Sequence, residues 1–239
     1  MKIAVISDVH ANLEATTACL NKLKELGVDK IICLGDLVDY CAEPNEVISL
    51  IKENCDVVVM GNHDEAQFHF ELIEGFREYA QVSSIHTRSV ILPEYLEYLK
   101  TLPYQFSYKN MLFVHGSPHN YGEYGYILNE ETAILNFKKF KEEICFIGHS
   151  HIPLIFMETN MGAKLVKESD IKKGNRYIIN VGSVGQPRDR DPRLSFGIFD
   201  TELWNYSNVR VEYDTIIASK KIKNEGLSSF LADRILNGV

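Results

Sequence analysis

Five short apolar runs, each ending abruptly in a cluster of Asp, His or Asn, constrain this chain more than any other feature of it. The runs are Ile3-Ala4-Val5-Ile6, Ile31-Ile32-Cys33-Leu34, Val57-Val58-Val59-Met60, Leu112-Phe113-Val114 and Cys145-Phe146-Ile147. Their shortness and β-branched content suit strands buried on both faces, and the helical stretches between them suit crossover connections. Between the first two runs, Leu13, Leu20, Leu23 and Leu26 recur at helical spacing, Asn12 can cap the start, and Gly27 fits a left-handed stop. Pro44 opens a second helix at a position where its missing N–H costs nothing, with Val47, Ile48 and Ile51 as the apolar face. Residues 65–102 read as mostly helical.

Beyond His151 the texture changes to alternating strands at 176–181, 195–200 and 208–213, which predicts a second, more antiparallel sheet. A helix over 227–236 closes the chain. No repeat and no Pro-, Gly- or Ser-rich linker divides it, so a single α/β domain over 1–239 is expected.

Charge narrows the choice of partner. With 33 acidic against 25 basic side chains the formal charge is -8, which repels phosphate backbones and argues against an extended nucleic-acid surface. An enzyme acting on phosphate esters would then need local cations, and bound metals would supply them. The five cysteines (Cys19, Cys33, Cys41, Cys55 and Cys145) are scattered and form no C-x-x-C pair. They read as reduced thiols of a cytoplasmic protein. No apolar run approaches signal-peptide or membrane-spanning length.

The polar clusters that follow the runs are Asp8-Val9-His10, Gly35-Asp36, Gly61-Asn62-His63-Asp64, His115-Gly116 and Gly148-His149-Ser150-His151. Strand carboxyl ends line one rim of an open parallel sheet, where ligands bind, so five segments distant in sequence would deliver Asp, His and Asn to one place. Carboxylate oxygen with imidazole nitrogen suits manganese, iron, zinc, nickel or cobalt better than calcium or magnesium. Two such ions close together need a bridging carboxylate. Asp36, on the middle cluster, is the candidate.

The five clusters, in this order, resemble the calcineurin-like metallophosphoesterase superfamily, whose pattern is D-x-H, G-D, G-N-H-[DE], H-G and G-H-x-H. Asn180-Val181-Gly182-Ser183 is similar to the N-P-G-S segment of its smaller bacterial and archaeal members. The resemblance implies a sandwich of two mixed β-sheets flanked by helices. It also implies two divalent transition metals, one held by Asp8, His10, Asp36 and His151 and the other by Asp36, Asn62, His115 and His149. His63 falls at the family's non-ligand histidine, which would donate a proton to the leaving group or stabilise the phosphoryl oxygens, and Asp64 beside it is expected to orient the imidazole. The sequence departs from the pattern at Ala11, where many members have Gly, and at Val181, where many have Pro; neither change removes a ligand.

Outside the motifs, His69, His86 and His119 read as ordinary surface or loop histidines, and Asn12 as a helix cap. Arg188 and Arg190 form either a solvated turn or a grip on a substrate phosphate. Tyr121, Tyr124 and Tyr126 read as a surface loop that could also stack on a base or sugar. The function implied is hydrolysis of a small phosphate ester by a metal-activated water, as a phosphodiesterase or phosphatase. A dinucleoside polyphosphate hydrolase and a non-catalytic metal-binding scaffold are the alternatives.

Overall fold

The computed structural model describes residues 1–239. The chain begins β1 (Lys2–Ile6), α1 (Leu13–Leu26), β2 (Lys30–Cys33), α2 (Pro44–Asn54), β3 (Val57–Val58) and a one-turn α3 (Asn62–Glu65). It continues through α4 (Glu78–Val90), α5 (Pro93–Lys100), β4 (Gln105–Tyr108), β5 (Met111–Val114), α6 (Glu130–Phe137) and β6 (Ile144–Ile147). The last part is β7 (Leu154–Thr159), β8 (Gly162–Leu165), β9 (Tyr177–Asn180), β10 (Leu194–Asp200), β11 (Asn205–Val211), α7 (Thr215–Asn224) and α8 (Ser229–Asn237). Local signals set the helix ends as predicted. The Asn12 side chain accepts from the Ala15 amide, Gly27 stops α1 at φ 59°, and Pro44 opens α2.

Two mixed sheets stack face to face with strand orders β11-β10-β1-β2-β3 and β4-β5-β6-β9-β7-β8. The five apolar runs are therefore divided between two sheets and do not share one parallel sheet. Three run parallel in the first (Ile6 beside Cys33, Cys33 beside Val58) and two in the second (Phe113 beside Phe146). The strands beyond His151 likewise form no separate sheet. β10 extends the first antiparallel to β1 and β11 follows antiparallel to β10, while β7, β8 and β9 extend the second, β9 running parallel to β6. The reason is burial on both faces: each strand needs a cover on either side, and two stacked sheets with outer helices provide four layers.

Period-2 alternation assigns the covers. Ile3, Val5, Ile32 and Leu34 of the first sheet meet Phe113, Ile144, Phe146, Tyr177 and Ile179 of the second. Ala4, Ile6 and Cys33 face outward onto Ala15, Cys19 and Leu23 of α1 and Val47, Ile48 and Ile51 of α2. Leu112, Val114, Cys145 and Ile147 face Ala133 and Phe137 of α6 on the other side. The α7–α8 pair packs Ile222, Leu231 and Ile235 against Ala11, Tyr40 and Cys41, closing over the loops that follow β1 and β2. No helix is long and apolar enough to cross a membrane, and all five cysteines are free thiols.

Phe146 ties the two sheets together. It is fully buried, stacks on Phe113 at 5.2 Å and meets Phe199 and Tyr206 of the facing sheet at 6.0 and 6.2 Å. Phe146→Ala is expected to lower unfolding free energy by about 3–5 kcal/mol, the range for emptying a tightly packed aromatic site; urea unfolding followed by circular dichroism measures it.

Candidate metal centre

The carboxyl ends of β1, β2, β5 and β6 and the start of α3 converge at one end of the sandwich. Seven side chains meet there: Asp8, His10, Asp36, Asn62, His115, His149 and His151, all buried. They fall into two groups whose ligand atoms are mutually close, Asp8 with His10 and His151, and Asp36 with His115 and His149. Asp36 lies between the groups. Its Oδ2 is 3.6 Å from His10 Nε2 and 3.1 Å from His115 Nε2, while Asn62 Oδ1 is 3.2 Å from His115 Nε2.

Backbone contacts fix which atoms face inward. His10, His115 and His151 each donate Nδ1–H to a carbonyl, that of Val38 at 2.8 Å, Leu34 at 2.8 Å and Gln186 at 2.5 Å. A carbonyl only accepts, so each Nε2 is left with its lone pair directed at the cluster. Asp8 Oδ2 accepts the His149 amide at 3.0 Å and Asp36 Oδ1 the His63 amide at 2.9 Å, which leaves one oxygen of each carboxylate turned inward. Asp8 Oδ1 has no hydrogen-bond partner at all. Lone pairs thus face lone pairs: His151 Nε2 stands 3.2 Å from Asp8 Oδ1 and 3.2 Å from His10 Nε2. Such an arrangement is stable only with positive charge in its midst. The donor set fits two divalent metals.

The titration of the groups agrees. Burial alone would raise the carboxyls, yet His151 and His115 beside Asp8, and His115 and His63 beside Asp36, hold both below the usual carboxylate range. Burial lowers His10 and pulls His149 down to about 3, His115 adding to the latter effect. His115 itself, despite burial, is raised to about 9 by Asp36 and Asp8.

The backbone is bent to make these contacts. Asp8, His10, Asp36, His149 and His151, five of the seven candidate ligands, have left-handed φ between 49° and 65°. Asp and His tolerate that region better than most residues, though each still costs roughly 1–3 kcal/mol where it is forced. Ala11, at φ 51°, shares it, which accounts for glycine being common there in the pattern the chain resembles. Hydrogen bonds between loops hold the bends: Asp8 N to Gly35 O, Val9 N and His10 N to Asp36 O, and Gly148 N to His115 O. The N-x-G-S segment supports them from behind. Asn180 donates to Gly148 O at 2.6 Å and Ser150 Oγ at 2.9 Å, and Ser183 donates to Asp8 O at 2.8 Å.

Comparison with known proteins agrees with this geometry. The family profile described as the calcineurin-like phosphoesterase superfamily domain matches residues 1–203. The chain belongs to that superfamily. It is 38% identical to an uncharacterized protein of Methanocaldococcus jannaschii, over 99% of this chain and 98% of that one. The metallophosphoesterase of Sphaerobacter thermophilus superposes with a TM-score of 0.87 at 36% identity, covering 100% of this chain and 99% of that chain. A hypothetical protein of Pyrococcus horikoshii OT3 shares the fold, with a TM-score of 0.83 at 22% identity over 100% of this chain and 98% of that one. Membership makes the chain a hydrolase of phosphoric esters whose family uses divalent metals.

Around the metallophosphoesterase centre, one expectation is corrected. Asp64 does not orient His63. Its two oxygens accept the amides of Asp36 and Leu37 at 2.8 Å and of Gly61 at 3.1 Å, so it shapes the Gly35-Asp36 and Gly61-Asn62 loops; burial and the nearby Asp36 raise its carboxyl to about 7. The residue that meets His63 is Asp39, whose Oδ2 lies 2.7 Å from Nδ1. Ser84 donates to the same oxygen and Gln67 to the other at 3.1 Å, fixing a fully buried carboxylate. Burial disfavours the charged imidazole, but Asp36 and the Asp39 hydrogen bond outweigh it and raise His63 above its ordinary value. Asp39 follows no motif, and its contact spans 24 residues of sequence, so adjacency pointed to the wrong neighbour.

The remaining candidates separate clearly. Arg188 lies over the Tyr40 ring at 5.5 Å, and Tyr40 packs on His10 at 4.4 Å and His63 at 4.7 Å. Arg190 is exposed, its amide bonded to Gly238 O. Tyr126, half-exposed, stacks on His149 at 4.0 Å, and Tyr124 is anchored by Glu65 at 2.6 Å; Tyr121 is exposed. Tyr124, Tyr126, Phe76, Leu72, Asn62 and His149 line a cavity of about 250 Å³. His69 pairs with Glu65, His86 lies near Glu225, and His119 joins neither metal group.

Two outcomes follow. Asp36→Asn should reduce metal content at both sites together after reconstitution, whereas Asp8→Asn should empty chiefly one; metal analysis that finds single-site loss for Asp36→Asn contradicts a bridging role. Asp39→Asn should retain both metals and lower turnover about 10–100-fold, as loss of a supporting carboxylate typically does. Asp64→Asn should instead lower melting temperature and metal content, because three loop amides lose their charged acceptor.

Proposed function

We propose that the protein hydrolyses small phosphate esters, phosphodiesters foremost, at a dinuclear centre held by Asp8, His10, Asp36 and His151 on one side and Asp36, Asn62, His115 and His149 on the other. The observation that carries this is the pair of buried Asp–His groups meeting at Asp36 Oδ2, with a non-ligand histidine, His63, beside them. The oxygen and nitrogen donors favour manganese, iron, zinc, nickel or cobalt. Bound there, two such cations would neutralise phosphoryl oxygens and acidify a water.

The chain's own residues supply the rest. His63, its proton affinity raised and its ring held by Asp39, would give its proton to the departing alkoxide. Arg188, on the Tyr40 ring next to His10 and His63, can bind a phosphoryl oxygen as the planar fork does elsewhere. The aromatic cavity between Phe76, Tyr124 and Tyr126 opens beside Asn62 and His149, which favours an ester with a flat organic group such as a nucleotide. The free thiols and the absence of a long apolar run suit a cytoplasmic setting.

His63→Ala separates proton donor from ligand. Metal content should be unchanged while turnover of an alkyl phosphodiester falls about 10²–10⁴-fold. Bis-p-nitrophenyl phosphate, whose leaving group departs without a proton, should lose much less. Equal losses on both substrates would assign His63 to stabilising phosphoryl charge, and loss of a metal would make it a ligand. A wild-type protein that, reconstituted with each metal in turn, cleaves no ester above buffer would overturn the hydrolase reading in favour of a scaffold.

A further inference from the structure

Of the chain's eight arginines, Arg77, Arg88 and Arg190 are exposed to solvent and three others are paired with carboxylates. Arg176 pairs with Glu158, Arg193 with Asp191 and Arg210 with Asp189. Arg188 and Arg234 pair with no carboxylate, although the chain carries an excess of acidic groups. Both are half-buried, and both turn toward one neutral acceptor. Gln186 Oε1 receives Arg188 Nε at 3.1 Å, Arg188 Nη2 at 2.8 Å and Arg234 Nη1 at 3.2 Å. Two like charges converging on a single amide oxygen is an arrangement the protein alone gives no reason for.

The surroundings hold the pair in place without neutralising it. The Arg188 guanidinium lies over Tyr40, and that of Arg234 lies over Phe230 at 4.6 Å and Tyr79 at 5.3 Å. Tyr79 and Tyr40 are themselves in contact at 6.3 Å. Such stacking fixes a guanidinium by its face and leaves its edge for hydrogen bonds. Arg234 Nε is buried with no partner, and so is Gln186 Nε2. Gln186 also links the pair to the centre, since its backbone carbonyl accepts from the ligand His151. Burial, and then Arg188 beside it, pull the Arg234 guanidinium below its usual range, a mark of two cations held close.

We propose that Arg188 and Arg234, gathered by Gln186 at the edge of the metal centre, form an anion subsite for a second phosphate of the substrate. The inference rests on the phosphoesterase reading above and narrows its substrate class. The reacting phosphate belongs at the Asp–His cluster. Arg188 adjoins that cluster, its amide bonded to His151 O, and Arg234 stands further out over Tyr79 and Phe230, so the pair reaches from the reacting phosphate to the next one along. A nucleoside diphosphate or another phosphoanhydride ester fits. Its hydrolysis is balanced by water alone: a water oxygen bonds to the reacting phosphorus, the bridging P–O bond breaks, its electron pair leaves with the second phosphate, and of the water's two protons one ends on that phosphate, making it a dianion, while the other passes to solvent. Two fixed guanidiniums would hold that departing dianion. Arg234 lies in α8, outside every motif, so only the folding of the C-terminal helix pair over the β1 and β2 loops brings it there.

The deciding measurement is isothermal titration of the manganese-reconstituted protein, manganese in excess, with imidodiphosphate, which resists hydrolysis, and with orthophosphate. The wild type should bind imidodiphosphate at least about tenfold more tightly. Arg234→Gln should erase most of that preference, since a charge-assisted hydrogen bond is worth roughly 10–100-fold, and Arg234→Lys should restore part of it. In parallel, Arg234→Gln should lower kcat/KM for ADP more than for p-nitrophenyl phosphate, so that their ratio falls at least about tenfold. A wild type without preference for imidodiphosphate, or a preference that survives Arg234→Gln, overturns the subsite even where esters are cleaved. If no ester is cleaved but the titration behaves as stated, the hydrolase reading fails and the anion subsite stands.

Discussion

Two carboxylates buried close together are the constraint on which this structure turns. Asp8 and Asp36 are at most 1% exposed, and three imidazole nitrogens present lone pairs to them. Placing one such ion in a low-dielectric interior costs several kcal/mol after relaxation, and placing two side by side costs more. The chain meets that cost in part by aiming amides at one oxygen of each carboxylate, those of His149 and His63. The other oxygen is left for an external charge. A site built for its own stability would have been completed with Arg or Lys; this one is left to be completed by metal.

That demand propagates outward through the backbone. Converging ligands from four strand ends requires turns too sharp for ordinary φ, hence the left-handed Asp and His residues. It also requires loops that nearly touch. A Cβ on Gly61 would fall within 2.9 Å of the Asp36 Cα, and one on Gly148 within 2.5 Å of Asp8 Oδ2, so neither position admits a side chain. Strain of this kind persists only where the surroundings over-determine it. Two stacked sheets and the amide network between the loops provide that, and the loops can be contorted because the strands beneath them are not.

What could be read in the sequence was whatever is encoded locally. Apolar runs, the Asn12 cap, the Gly27 stop and the positions of the metal-ligating residue types are one-dimensional signals. The division of the runs between two sheets was visible only through family resemblance, because burial on both faces looks alike whether the cover is a helix or a sheet. Edge strands were lost for the opposite reason. Gln105–Tyr108 and Gly162–Leu165 are partly exposed and carry no strong apolar pattern. Asp64 was assigned to His63 because it follows it in sequence, yet in a one-turn helix successive residues point to different sides. Asp39 reaches the imidazole through a left-handed turn, φ 69°, that no local pattern announces.

The sign of the charge explains how an acidic chain can serve an anionic substrate. A net -8 acts over the whole surface, but screening confines each charge to about 8 Å at physiological salt. What a small ester meets at the mouth of the centre is therefore set locally. There Arg188 and Arg234 stand at the edge of the centre, against the aromatic rings of Tyr40, Tyr79 and Phe230, with no carboxylate paired with either. A polyanion long enough to span many Debye lengths would feel the acidic remainder as well.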